Sequence, residues 1–419
     1  MKSLQASEDA YLLPHDGRPE LFKVYKRRWV VLLCFCLCNA ANALVWITFS
    51  PISDQVEAKF NISSTWVNML SLVFMIVFVP ITFPSAWLLD HLGLWFGVMV
   101  GAVFTMVGAW VRVFGEWNFW PVFGGQVLAA IGQPFILNAV PLLAANYFPR
   151  VGIGFVLPPL LTDEPDDIPF MLMIQAIIAS ACSVFVLFCP SKPPLPPSAG
   201  TAREELAFLP SVKAVVLNHN FWILCVEFGC GLGAFNTLAT VINQLYEPYG
   251  YTNTESGILG LLVVVCGIIG SGIEGGLVDY THRYKLFIWA TLLCATGSLV
   301  GMTLLLERGY FVWQCLVSAG LGFFMTPILP LTLELAVEIT YPVGEATVTG
   351  MLMVSGQLVG IGLIFLFNWM IDNHYYHESG WVATGLTGFS CAVMLLFTGR
   401  LKRREHEAAE NARGDAINA

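Results

Sequence analysis

The residues in this chain that could do chemistry are polar groups set inside long apolar stretches, a costly placement unless a cavity or a partner receives them. Asn39, Asn42 and Trp46 fall at i, i+3 and i+7, so one helical face can present two carboxamides and an indole to a common cavity, although Trp46 also suits simple packing. Gln126 and Gln133 are seven apart and share a face, where they either line a path or tie helices together. Glu227 sits about 12 Å into its apolar stretch at the ~1.5 Å rise per residue of a helix, too deep for an acid without a cavity or partner. It either binds a cation or proton or is a neutral acid bonded to a neighbouring helix. Asn236, Asn243 and Gln244 continue a polar side of the same stretch. Such groups suit recognition of a small solute. No phosphate loop, zinc spacing or nucleophile motif accompanies them, so neither an enzyme nor a resident metal or cofactor is expected; Gly229-x-Gly231 suits helix packing. His374 and His377, at i, i+3 around two tyrosines, are the only paired candidates for haem ligation, although that pattern is more often a polar loop.

Twelve apolar stretches must position these groups, near 29–50, 65–88, 94–114, 122–148, 151–161, 168–189, 219–244, 255–278, 285–306, 310–337, 346–371 and 380–399. The sequence therefore predicts an all-α polytopic membrane protein with the lipid bilayer as its solvent. The fifth stretch is anomalous. Its eleven residues, 151–161, cover about 16 Å as a helix against ~30 Å of hydrocarbon, so a truncated fifth helix is expected, with Gly152, Gly154, Pro158 and Pro159 permitting a partly unwound crossing. Basic residues gather before the first stretch (Lys23, Lys26, Arg27, Arg28), at even-numbered exits (Arg150, Lys192, Arg203, Lys213, Arg283, Lys285) and after the last (Arg400, Lys402, Arg403, Arg404). Those ends are expected in the cytoplasm, which places both termini there, in the plasma membrane. On the opposite side only Lys59, Arg112 and Arg308 stand, with the sequon Asn61-Ile62-Ser63 as a glycosylation candidate. The net charge of −9 belongs to loops and tails and gives no nucleic-acid signal. The eleven cysteines lie in or beside apolar stretches and read as buried packing residues.

A proline-rich segment divides the chain. The expected organisation is a cytoplasmic N-tail (1–28), a helical half (29–189), a linker (190–218) with a surface helix within 202–215, a second helical half (219–399) and a C-tail (400–419). Each half repeats a punctuation after its second stretch: Ala86-x-x-x-Asp90-x-x-Gly93, then Gly275-x-x-x-Asp279-x-x-x-Arg283. Small residues there would allow close helix approach, the aspartates would accept from a helix N-terminus, and the cation would pair with Glu334 or Glu338, four apart on one face. These acids also suit a merely solvated interface. Two six-helix halves with equivalent punctuation give the internal symmetry of major facilitator transporters.

Specific residues then narrow the reading. Tyr25-x-Arg27-Arg28-Trp29-Val30, Asn42-x-x-x-Trp46-Ile47, Ser50-Pro51-Ile52-Ser53-Asp54, Gly132-Gln133-Pro134-Phe135, Tyr147-Phe148-Pro149 and the run Glu334 to Glu345 resemble solute carrier family 49, the feline leukaemia virus subgroup C receptor-related branch of the major facilitator superfamily. The Ser50 and Pro342 runs look most similar to its A3 branch. The resemblance implies a major facilitator fold and transport of a small organic solute, an amine of the choline/ethanolamine type, by a monomer; haem is the alternative substrate. It implies that Trp46 is a cage tryptophan and that Gln357 lines the same site, although Gln357 equally suits an interhelical hydrogen bond. The family's seventh-span cage tyrosine falls at Asn236, a departure that weakens an aromatic cage. A non-transporting receptor or scaffold, or an inactive shortened variant, are the other readings.

Overall fold

A computed structural model of the chain describes residues 10–15, 18–23, 28–116, 118–139, 168–186 and 208–405. The fifth stretch (151–161), most of the linker and the end of the C-tail lie outside them. From Arg28 onward every regular element described is helical. Nine helical segments among the described residues are long and apolar enough to cross a membrane, and Ile168–Val184 is a shorter apolar helix.

The helices are α1 (Arg28–Ile47), α2 (Ser53–Phe60), α3 (Ser64–Leu92), α4 (Leu94–Val113), α5 (Phe119–Leu137), α6 (Ile168–Val186), α7 (Phe208–Val216), α8 (His219–Tyr246), α9 (Asn253–Thr281), α10 (Tyr284–Leu304), α11 (Phe311–Met325), α12 (Ile328–Thr340), α13 (Glu345–Asp372) and α14 (Tyr376–Leu395). Eleven of the twelve predicted stretches are thus matched by helices. Three details differ. The N-tail carries a hairpin, β1 (Ala10–His15) antiparallel to β2 (Arg18–Lys23), with Tyr11 in register with Phe22 and Leu12 with Leu21. The first stretch does not run smoothly to residue 50: α1 stops at Ile47, a 3-10 turn spans Ser50–Ile52, and α2 follows, because Pro51 can supply no helical N–H. The tenth stretch is two helices parted at Pro327, for the same reason.

Close approach of α4 and α5 is written in glycine. A Cβ added at Gly108 would lie 2.5 Å from the Gly125 carbonyl oxygen, so only glycine lets the two backbones meet there. Buried residues of both halves merge into one core in which α3 packs on α13 and α1 lies against α5 and α6. Large apolar side chains such as Phe83, Val103, Ile269, Leu293 and Leu316 remain exposed, as a hydrocarbon solvent permits. Trp66, Phe119, Trp120 and Phe123 form an edge-to-face cluster at one end of the bundle, the position of an interfacial aromatic belt. None of the ten cysteines among the described residues forms a disulfide; most are buried, and Cys294 is exposed.

Candidate functional site

Between the two halves lies a small cavity bordered by Asn39, Asn42 and Trp46 of α1, Phe74 and Met75 of α3, Gln133 of α5, Asn236 of α8 and Gln357 of α13. Helical phase accounts for the grouping: Asn39, Asn42 and Trp46 keep one face of α1, and Leu232 with Asn236, four apart, keep one face of α8. The cavity measures about 20 Å³, room for about one water, so it is closed around nothing larger. Among the described residues, no charged side chain borders it. Asn42 spends its amide on Thr105 Oγ1 (2.9 Å) and the Ala129 carbonyl (3.1 Å), locking α1 to α4 and α5. Trp46 Nε1 and Gln357 Oε1 are buried without a partner. Gln133 and Asn236 likewise make no side-chain hydrogen bond to the described residues.

Gln126 separates from Gln133. Its amide donates to the Val45 and Leu70 carbonyls, so it ties α5 to α1 and α3, while Gln133 borders the cavity. Glu227 is fully buried but does not border the cavity. It faces α12 and α14, where its Oε2 accepts from Thr332 (3.3 Å), and its backbone carbonyl accepts from Ser390 (2.6 Å). Nine residues separate Glu227 from Asn236, which is 2.5 helical turns and therefore the opposite face. This placement corrects the grouping of Glu227 with the cavity residues.

Arg112, one of the three cations expected on the outward side, is 1% exposed in the last turn of α4. Its guanidinium donates to the Val45 carbonyl, Thr48 Oγ1 and Gln175 Oε1, and lies 5.0 Å from the centre of the Phe49 ring. It caps the broken end of α1, whose last carbonyls lose helical donors where the helix stops. The signal that could have found it is its position before Val113 and Phe114, within the apolar stretch rather than beyond it.

One end of the interface between halves is clasped by polar side chains. Ser50 Oγ donates to the Ala239 and Thr240 carbonyls (2.5 and 2.7 Å), and Asn243 donates to Ser53 (3.2 Å). Asn68 donates to Gln244 (2.8 Å) and Asn368 (2.5 Å) and accepts from Gln244 (3.2 Å). Asn253 donates to both oxygens of Asp54. Asn68 drew no attention in the sequence because its partners come from the far half.

At the opposite end, Asp90 occupies the last turn of α3, and Gly93 joins α3 to α4 with φ 84°, a conformation that favours glycine. Asp279 lies in the last turns of α9, which ends at His282 in a left-handed conformation. Among the described residues, a Cβ added at Gly275 would meet nothing within 4 Å. Arg283 is exposed, and Tyr284 rather than Arg283 makes the described contact to Glu334, donating its hydroxyl at 2.8 Å; Glu338 accepts from the Arg404 backbone. The cation at this end with a described carboxylate is Arg403, 3.0 Å from Glu345. Asn61 is an exposed left-handed cap of α2. His374 hydrogen-bonds Tyr376, and His377 packs edge-on to Trp381.

The model of the Major Facilitator Superfamily matches residues 35–364. Solute carrier family 49 member A3 of Xenopus tropicalis is 32% identical over 85% of this chain and 80% of its own length. The choline/ethanolamine transporter FLVCR1 of Felis catus is 34% identical, over 84% of this chain and 69% of its own. Among solved structures, the transporter FucP in its outward conformation superposes with a TM-score of 0.64 at 14% identity, covering 90% of this chain and 99% of that one, a likeness of fold. With its membrane helices, paired halves and enclosed polar cavity, this chain belongs to solute carrier family 49 of the major facilitator superfamily and is a facilitator-type membrane transporter.

Proposed function

We propose that the transporter carries a small organic amine of the choline/ethanolamine type by rocking of residues 29–189 against 219–399 around the cavity that Trp46, Gln133, Asn236 and Gln357 border. The carrying observation is that enclosed cavity, where both halves contribute polar groups without hydrogen-bond partners and α1 contributes an indole. An indole face attracts an ammonium, and carboxamide oxygens accept from its N–H groups. The relatives named as FLVCR1 choline/ethanolamine transporters point the same way. A cavity of about 20 Å³ must open to admit an amine, as alternating access requires. The clasp of Ser50, Asn68 and Asn243 is the outward closure, with Asp90, Gly93, Asp279, Glu334 and Glu338 at the cytoplasmic one. In this reading both termini are cytoplasmic, the protein is a monomer of the plasma membrane, and Asn61 carries the glycan. Glu227, set behind the cavity, serves as a proton or cation carrier.

Metabolite uptake compared in cells with and without the protein tests the substrate class. Trp46→Ala should raise the KM for a cationic substrate about 2–30-fold, the loss of roughly 0.5–2 kcal/mol of cation–π attraction, at normal surface expression. Unchanged uptake kinetics would remove Trp46 from the site.

A further inference from the structure

We infer that the cavity selects amines by the number of N–H groups they carry, preferring a primary amino alcohol to its quaternary counterpart. The inference rests on the amine reading above and concerns the chemistry of the same wall. A quaternary ammonium donates no strong hydrogen bond and is held by aromatic faces surrounding it. A primary ammonium has three N–H donors that need acceptors. The wall offers two rings, Trp46 and Phe74, and from the opposite half it offers carboxamides, Asn236 and Gln357. Gln357 is 4% exposed, and its Oε1 is a buried acceptor with no partner. Gln133 on α5 and Asn236 on α8 bring further amide oxygens with no side-chain partner among the described residues.

Trp46 Nε1 is a buried donor without a partner, and the oxygen of an amino alcohol can accept from it. A primary amino alcohol therefore answers an orphaned acceptor and an orphaned donor together. Each N-methyl group removes one donor and adds bulk to a cavity that holds about one water when closed. Sites built to hydrogen-bond a group reject analogues that lack it, because their own buried polar atoms are then left unpaired.

The test is uptake by the full chain reconstituted in liposomes, with four probes: ethanolamine and its N-methyl, N,N-dimethyl and N,N,N-trimethyl forms, the last being choline. Apparent affinity should fall along the series, by at least about tenfold from ethanolamine to choline. Gln357→Leu should narrow that gap at least threefold by weakening ethanolamine, whereas Asn236→Tyr should favour choline. The wild-type series stands without either variant if they fold poorly. Uptake of all four with choline equal or preferred overturns this inference and leaves the amine reading intact. Uptake of none of them overturns both.

Discussion

Removing the Asn68 side chain should release the clasp that holds the two halves together at the end predicted to face outward. Asn68 makes three hydrogen bonds across the halves, two with Gln244 and one with Asn368. Interhelical hydrogen bonds in membranes contribute about 0.6 kcal/mol each, so Asn68→Ala loses about 2 kcal/mol of closure, a factor of about 20 in the ratio of closed to open molecules. The loss falls on the closed state alone, because water reaches Gln244 and Asn368 once the halves part. The assay is the reaction rate of a cysteine placed at Leu232, on the cavity wall, with a membrane-impermeant maleimide applied outside cells; the same protein without Leu232→Cys corrects for native thiols. Asn68→Ala should raise that rate about 20-fold, while Gln244→Ala in the same background adds little, since the two share their bonds. A rate within twofold of the parent, at equal surface expression, would show that Asn68 does not hold the closure.

Arg112→Lys should destabilise the detergent-solubilised protein nearly as much as Arg112→Gln, by at least about 2 kcal/mol, because an ammonium cannot fork to Val45, Thr48 and Gln175 as a guanidinium does. A melting temperature for Arg112→Lys equal to the parent would show that the charge alone matters. Glu227→Gln keeps an acceptor for Thr332 and should fold normally while abolishing any pH or membrane-potential dependence of uptake; an unchanged profile assigns Glu227 to structure. Gly108→Val should cost about 1–3 kcal/mol through its collision with the Gly125 carbonyl, measured against Gly124→Ala, which faces open space and should be neutral.

The class of the protein was legible in its sequence because a bilayer constrains length and composition more tightly than water does. Helices stand at eleven of the predicted apolar stretches, and the family followed from motifs such as Asn42 to Ile47 and Glu334 to Glu345. The cavity residues were legible for a related reason: helical phase puts Asn39, Asn42 and Trp46 on one face wherever the helix lies. Phase also separates Glu227 from Asn236 by half a turn, so the acid does not share the face of Asn236. Depth along the axis is weaker information. Gln126 and Gln133 share a face yet stand about 10 Å apart at ~1.5 Å per residue, so one ties helices and the other borders the cavity.

Tertiary structure alone decided which neighbour each face meets. The partners of Asn68 lie on α8 and α13, and those of Arg112 include a backbone carbonyl exposed by the break in α1. Carbonyls are the same at every residue, so no side-chain pattern marks the one that needs a donor. That dependence on packing makes Arg112 the buried cap of the helix that carries Trp46.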